Sequence, residues 1–222
     1  MGYGILLVHG AWHTGRTWRH LAARLRARDI PVAVAELHRG TLAADVEAAA
    51  QAAKSLGGPV IACGHSYGGM VISGLPPELV AHLIYLAAPM PDAGETTLGM
   101  IAPFPTDLLS CLIPGPGDTT TIDPARAGEL LHHQLAPARR REHVAELVPQ
   151  VMTAGHEPAA TATWRSRPST YVICAEDRTV HPSLQRHLST RATSSVTLSS
   201  DHGCYLSHEE EVAALLSELA NG

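Results

Sequence analysis

The sequence predicts an α/β protein with a doubly wound, mostly parallel sheet of about six strands. Short apolar runs alternate with helical patterns along most of the 222 residues. The runs at 59–63 and 170–175 are almost continuously apolar, which is typical of strands buried on both faces. A length of 222 residues and an apolar content of 45% are enough for one such domain with its own core.

The individual elements follow from local patterns. The first long helix is predicted from apolar residues that recur on one helical face, namely Leu42, Val46, Ala49, Ala53 and Leu56. Gly57-Gly58 ends this helix. The predicted strands cover residues 4–8, 30–37, 59–63, 80–88, 170–175 and 196–199.

The alternation stops between residues 92 and 168. This stretch is rich in proline and contains helical patterns only near 125–135 and 139–152. It therefore reads as a helical insertion without a sheet of its own. We predict an α/β core formed by residues 1–91 and 169–222, and a helical lid at 92–168 that covers the site.

Charge and composition exclude several partners. The formal net charge is −5 with no block of basic residues, so nucleic acid and anionic membranes are not expected to bind. No apolar run reaches the ~18 residues of a membrane span, and the N-terminus lacks a signal-peptide pattern. We expect a cytoplasmic protein. The sequence leaves the oligomeric state open, with a homodimer as one candidate.

The strongest chemical signal is the G-x-S-x-G segment around Ser66, which reads Gly64-His65-Ser66-Tyr67-Gly68. It directly follows a predicted buried strand and directly precedes a predicted helix. A serine nucleophile needs a hydroxyl exposed on such a sharp turn, and the flanking glycines permit the turn. Ser66 is therefore the predicted nucleophile.

A serine needs a base, and the base needs an orienting acid. His202 follows the last predicted strand, at the sheet edge where the site of an open parallel sheet is expected. Asp177 follows the preceding strand and is the predicted acid. Glu176 is its neighbour, Asp92 is the backup, and Asp201 is expected to serve the loop backbone or to face solvent.

The remaining histidines have no assigned chemistry. The count of 14 suggests a metal at first sight, but neither the histidines nor the four cysteines show the spacing of a metal site. No metal or organic cofactor is expected. His9 is expected to support the loop after the first strand. Within the insertion, His132, His133, His143 and His156 are expected to be solvated.

An acyl-transfer site also needs donors for the developing oxyanion. One predicted donor is the backbone N–H of Tyr67, the residue after the nucleophile. The other is the N–H of Ala11, in the loop after the first strand, where the small residues Gly10 and Ala11 let a carbonyl approach.

Together these features resemble the α/β-hydrolase superfamily over nearly the whole chain, including the order serine, acid, histidine. Within it, the chain is similar to the plant-type methylesterases, the salicylate-binding proteins and the hydroxynitrile lyases. The similar segments are Val8-His9-Gly10-Ala11-Trp12-His13, Gly64-His65-Ser66-Tyr67-Gly68-Gly69, Ala175-Glu176-Asp177-Arg178-Thr179-Val180 and Ser200-Asp201-His202.

Two departures separate this chain from the lyases of that group, which carry a Thr at the place of Gly10 and a Lys after the catalytic His. Here Gly203 follows His202, and the only Lys is Lys54. The resemblance therefore implies an esterase that cleaves small, partly hydrophobic methyl or aryl esters through an acyl-enzyme.

Two other functions stay open. One is a lyase or cyclase that uses the same triad without hydrolysis, and the other is a small-molecule receptor with slow turnover. The implied pocket walls are Trp12, Leu108 and Leu109, with Tyr67, Leu112, Leu130 and Leu131 as further candidates.

Overall fold

The computed structural model describes residues 2–38 and 40–222, and its centre is a parallel sheet. Its six strands are β1 (Gly4–Val8), β2 (Val32–Ala35), β3 (Val60–His65), β4 (Val80–Leu86), β8 (Ser169–Cys174) and β9 (Ser194–Leu198). They lie in the order β2-β1-β3-β4-β8-β9, and every neighbouring pair is parallel. The predicted fold class is confirmed, and each predicted strand overlaps an observed one.

Helices cover both faces of this sheet. The helices outside the insertion are α1 (Arg19–Arg26), α2 (Leu42–Lys54), α3 (Gly68–Ser73), α8 (Pro182–Ser189), α9 (Cys204–Ser207) and α10 (Glu209–Asn221). Strand β1 shows how two cores arise: Leu6 and Val8 point into the core with α2, α3 and α8, whereas Ile5 and Leu7 point into the core with α1 and α10. Successive strand side chains alternate between faces, so an apolar run fills both cores.

The segment 92–168, here called the cap, differs from its prediction. It contains helices, as expected, but also a three-stranded antiparallel sheet, so the expectation of a purely helical lid was wrong. The strands have two to four residues and carry proline and threonine, which is too short for a readable alternation. The cap elements are α4 (Thr97–Ile101), β5 (Leu112–Pro114), β6 (Thr119–Ile122), α5 (Pro124–Leu131), α6 (Pro137–Ala145), β7 (Gln150–Val151) and α7 (Thr153–His156).

A small core holds the cap onto the sheet domain. Trp12, from the loop after β1, packs among the cap residues Leu108, Ile122, Leu130 and Leu131. Its indole Nε1 donates to Thr120 at 3.2 Å, and its carbonyl accepts from the N–H of Val148 at 2.9 Å. Within the described residues, no helix is both long and apolar enough to cross a membrane.

Candidate active site

Ser66 lies on a strained turn between β3 and α3. Its φ is +51°, in the left-handed region that non-glycine residues rarely adopt. Its N–H bonds the carbonyl of Leu86, and its carbonyl accepts from the N–H of Gly69 at 2.8 Å. Such strain persists where surrounding contacts enforce it, and it is concentrated at functional sites.

The flanking glycines are required by close backbone contacts. A Cβ at Gly64 would lie 2.5 Å from the carbonyl oxygen of Gly68, and a Cβ at Gly68 would lie 2.5 Å from that of Val8. Any larger residue would push α3 away from β1 and β3. The motif therefore packs the nucleophile turn directly onto the sheet.

The side chains of Asp177 and His202 meet at the carboxyl ends of β8 and β9. Nδ1 of His202 is 2.8 Å from Oδ2 of Asp177, and both side chains are almost fully buried. The His202 loop also touches the serine turn, because Nε2 of His65 donates to the carbonyl of His202 at 2.9 Å. The rings of His65 and His202 are 4.5 Å apart. The geometry thus brings the predicted acid and base together, next to the residue that precedes Ser66.

Four donors hold the Asp177 carboxylate. The N–H groups of Thr179 and Val180 bond Oδ1 at 2.6 and 3.0 Å. Nε2 of Gln185 and Nδ1 of His202 both bond Oδ2, each at 2.8 Å. Gln185 was not among the predicted site residues. Its signal was a polar residue on the inward face of α8, beside Leu184 and Leu188.

The alternative acids lie elsewhere. Glu176 is exposed beside the buried Asp177, and Asp92 pairs with Arg165 at 2.5 Å. Asp201 is fully buried and accepts from the N–H of Gln134 and the hydroxyl of Ser207. It thus ties the His202 loop to the cap.

The residues that carry the predicted oxyanion donors line the same cavity as Ser66. Ala11 and Tyr67 both line the cavity that contains Ser66, and neither N–H has an acceptor within the described part of the chain. The loop that carries Ala11 is held by histidines. Nδ1 of His9 bonds the Gly10 carbonyl, its Nε2 accepts from the N–H of Leu37, and Nδ1 of His13 bonds the Ala11 carbonyl.

The cavity over Ser66 measures about 70 Å³, and its walls are mainly apolar. Trp12, Leu108 and Leu109 line it, together with Leu112. Leu130 and Leu131 do not, because they pack into the cap core. The other lining residues are Tyr67, Pro89, Thr97, Leu98, Ile101, Gln150, Met152, Gly155, Thr179 and Val180.

Several histidines are buried rather than solvated. His132 is fully buried and His143 is 3% exposed, which corrects the expectation that both are solvated, whereas His156 is exposed. The cap folds back over the first loop, so His132 packs edge-to-face on His13 at 5.9 Å. Burial lowers the pKa of His13 to about 4 and that of His9 to about 3, and it lowers the pKa of His132 well below the ordinary value.

Metal-ligating side chains do not gather at this edge. Within the described residues, no group of three or more His, Cys, Asp or Glu side chains is arranged to hold a metal ion. The four cysteines are all buried free thiols.

Two known proteins are similar to this chain in sequence. Alpha/beta hydrolase nvfD of Aspergillus novofumigatus (strain IBT 16806) is 25% identical over 240 residues, which cover 97% of this chain and 96% of nvfD. The carbendazim hydrolyzing esterase of Nocardioides sp. (strain SG-4G) is 33% identical over 114 residues, 43% of this chain and 46% of that protein.

Solved structures of other proteins superpose on nearly the whole of this chain. A pyrethroid hydrolase from Sphingobium faniae JZ-2 superposes with a TM-score of 0.84 at 23% identity, covering 99% of this chain and 98% of that one. Polyneuridine aldehyde esterase superposes with a TM-score of 0.84 at 18% identity, covering 99% of both chains. The alpha/beta hydrolase family model matches residues 5–215. The chain belongs to the alpha/beta hydrolase family and is a hydrolase.

Proposed function

We propose that the protein is a serine esterase that cleaves small, partly hydrophobic carboxylic esters with Ser66, His202 and Asp177. The observation that carries the proposal is the buried 2.8 Å contact between His202 Nδ1 and Asp177 Oδ2, in a loop bonded to the serine turn. A base held by a buried carboxylate beside a strained serine is the arrangement that acyl transfer needs.

The proposed reaction has two steps. The Oγ of Ser66 attacks the ester carbonyl carbon while Nε2 of His202 takes its proton, and Asp177 stabilises the imidazolium. The N–H groups of Ala11 and Tyr67 hold the oxyanion. His202 then protonates the departing alcohol. In the second step His202 takes a proton from water, and the resulting hydroxide attacks the acyl carbon. The bond between that carbon and Ser66 Oγ then breaks, Oγ takes the proton back from His202, and the acid is released.

The cavity supports the substrate class. Its walls are mainly apolar, which favours an ester with a hydrophobic part. Trp12, Leu108 and Leu109 are proposed to contact this part. Residues 92–168 are proposed to act as the lid, because Leu108, Leu109 and Gln150 line the cavity that contains Ser66. Relatives named for ester hydrolysis, such as the carbendazim hydrolyzing esterase, agree with this class.

The space after His202 disfavours the lyase route. A Cβ at Gly203 would lie 2.5 Å from Nδ1 of His132, so a lysine there would displace the buried imidazole. Hydrolysis is therefore better supported than the lyase route that uses a lysine after the histidine.

The test is turnover of p-nitrophenyl acetate and butyrate by wild type and Ser66→Ala. We expect wild-type turnover and a loss of about a thousandfold or more in the variant, with an unchanged thermal melt. A folded wild type without activity would contradict the esterase. Intact-mass spectra distinguish the esterase from a small-molecule receptor, because stoichiometric acylation without further turnover would favour the receptor.

A further inference from the structure

His65, the residue before Ser66, takes no part in the proposed reaction, although its side chain is fully buried at the end of β3. Its Nε2 lies 2.9 Å from the carbonyl oxygen of His202. A carbonyl oxygen only accepts hydrogen bonds, so the single proton of the neutral ring is on Nε2. His65 therefore donates its one N–H to the backbone of the loop that carries the proposed base.

The same ring packs against the loop that carries the predicted oxyanion donor of Ala11. A Cβ at Gly10 would lie 3.1 Å from Nδ1 of His65, so this nitrogen is close to the Gly10 backbone. The ring of His13, from the same loop, meets the His65 ring edge-on, with centroids 6.1 Å apart. One side chain thus bonds the His202 loop, contacts the oxyanion loop and belongs to the residue next to the nucleophile.

The surroundings of the His65 ring keep it uncharged. Its neighbours include the rings of Tyr205 and Trp18, with centroids at 4.7 and 6.4 Å. Burial, together with the nearby His202 and His13, holds the pKa of His65 well below its ordinary value. A ring that stays neutral adds no second positive charge when His202 becomes an imidazolium. Because the ring also does not line the cavity, it is suited to hold the base in place and not to exchange protons with a substrate.

We infer that His65 is a positioning residue for the triad, which fixes the His202 loop relative to Ser66 through its bond to the His202 carbonyl. This inference rests on the proposed esterase function. Asp177 orients the His202 ring through Nδ1, whereas His65 holds the backbone of the same residue. Two attachments at different atoms define both the orientation of the imidazole and its place beside the nucleophile. Small displacements of reacting groups lower the rate of a reaction strongly.

The test compares two amide side chains of different reach. In His65→Gln the amide nitrogen can lie near the place of Nε2 and donate to the His202 carbonyl, whereas in His65→Asn it is one methylene short. We expect His65→Asn to lower kcat for p-nitrophenyl acetate by about tenfold or more, with KM within about twofold of wild type. His65→Gln is expected to recover kcat to within about threefold of wild type. His65→Leu, which has no donor, is a second variant expected to match His65→Asn if either folds poorly.

Thr163→Val is the matched control, because Thr163 is also buried and its hydroxyl also donates to a distant backbone carbonyl, that of Leu75. Neither residue lines the cavity. The control is expected to lower the melting temperature while kcat stays at the wild-type value. A purely structural role of His65 would give the same result for His65→Asn.

Phosphonylation of Ser66 by a fluorophosphonate, followed by intact-mass spectrometry, gives a second readout without ester hydrolysis. The Oγ of Ser66 attacks phosphorus and displaces fluoride while His202 takes the proton. The rates are expected to follow the same order, with wild type and His65→Gln faster than His65→Asn. A wild type that reacts with the probe in this order but turns over no ester would overturn only the esterase.

Two results would overturn the inference itself. One is a folded His65→Asn with the kcat and the phosphonylation rate of wild type, and the other is an equal loss in His65→Asn and His65→Gln. A wild type that reacts with neither the ester nor the probe would overturn the inference together with the proposed function.

Discussion

The imidazole of His132, in the cap, occupies the space beside the α-carbon of Gly203, the residue after His202. A Cβ at position 203 would lie 2.5 Å from His132 Nδ1 and 3.0 Å from Cε1. The N–H of Gly203 also bonds the carbonyl of Leu131 at 3.1 Å. With the bond from Gln134 to Asp201, the end of α5 thus holds the loop that carries His202. The cap therefore positions the proposed base as well as lining the cavity.

This contact predicts energetic coupling between the two positions. Gly203→Ala is expected to destabilise the protein by about 1–3 kcal/mol, because the buried imidazole has to move. In a His132→Ala background the same change is expected to cost less, since the space is then empty. Urea unfolding of the four proteins measures the coupling.

A glycine in open space provides the control for this cycle. Gly58→Ala places a Cβ with nothing within 4 Å and is expected to leave stability nearly unchanged. Additive effects of the Gly203 and His132 changes would contradict the packing described here.

Gly10 is predicted to be required beside the nucleophile. A Cβ there would lie 2.9 Å from the Cβ of Ser66 and 3.1 Å from Nδ1 of His65. Gly10→Ala is therefore expected to reduce kcat/KM for p-nitrophenyl acetate by about ten- to a hundredfold, because small displacements of a nucleophile are costly. A variant as active as Gly58→Ala would show that the turn absorbs the methyl group without moving Ser66.

Gln185 is predicted to position Asp177. Its Nε2 bonds Oδ2 of Asp177 and the carbonyl of Val180, and its Oε1 accepts from the N–H of Cys174 at 2.8 Å. Gln185→Met is expected to reduce kcat by about tenfold with little change in KM, because the carboxylate then holds His202 less firmly. Steady-state kinetics measure kcat and KM separately. The control is Gln51→Met, which changes an exposed glutamine on α2. A change confined to KM would place Gln185 outside the catalytic arrangement.

The buried histidines predict loss of stability in acid. The pKa of His13 falls from 6.5 to about 4 on folding, because burial disfavours its charged form. The unfolded chain therefore takes up a proton that the folded chain resists. Stability is complete above pH 6.5 and decreases as the pH falls from 6.5 toward 4, with His13 contributing on the order of 3 kcal/mol.

His9 extends the same decrease toward pH 3, since burial lowers its pKa to about 3. Urea unfolding at pH values from 8 to 4 measures the effect, and His13→Asn is expected to make the decrease shallower. A free energy of unfolding that stays constant from pH 8 to 4.5 would contradict this account.

Local patterns predicted most of the sheet and the candidate triad. The strands around Ile5–Val8 and Cys63 are nearly continuous apolar runs, and G-x-S-x-G encodes its turn within five residues. Asp177 and His202 could be predicted because each lies in the loop after a strand, and the carboxyl ends of parallel strands meet at one edge of the sheet. Apolar runs and short motifs of this kind depend only on residues that are close together in the sequence.

Contacts between distant segments decided the rest. The cap sheet pairs strands too short to show a period, and the burial of His132 depends on α5 folding back over the loop after β1. The role of Gln185 depends on which buried atoms are its partners, because a side chain's hydrogen bonds are set by what packs around it. The α/β sheet and the residues proposed for chemistry could thus be predicted from local patterns in the sequence. How the cap holds the His202 loop and how Gln185 holds Asp177 could not, because these contacts join segments that are far apart in the chain.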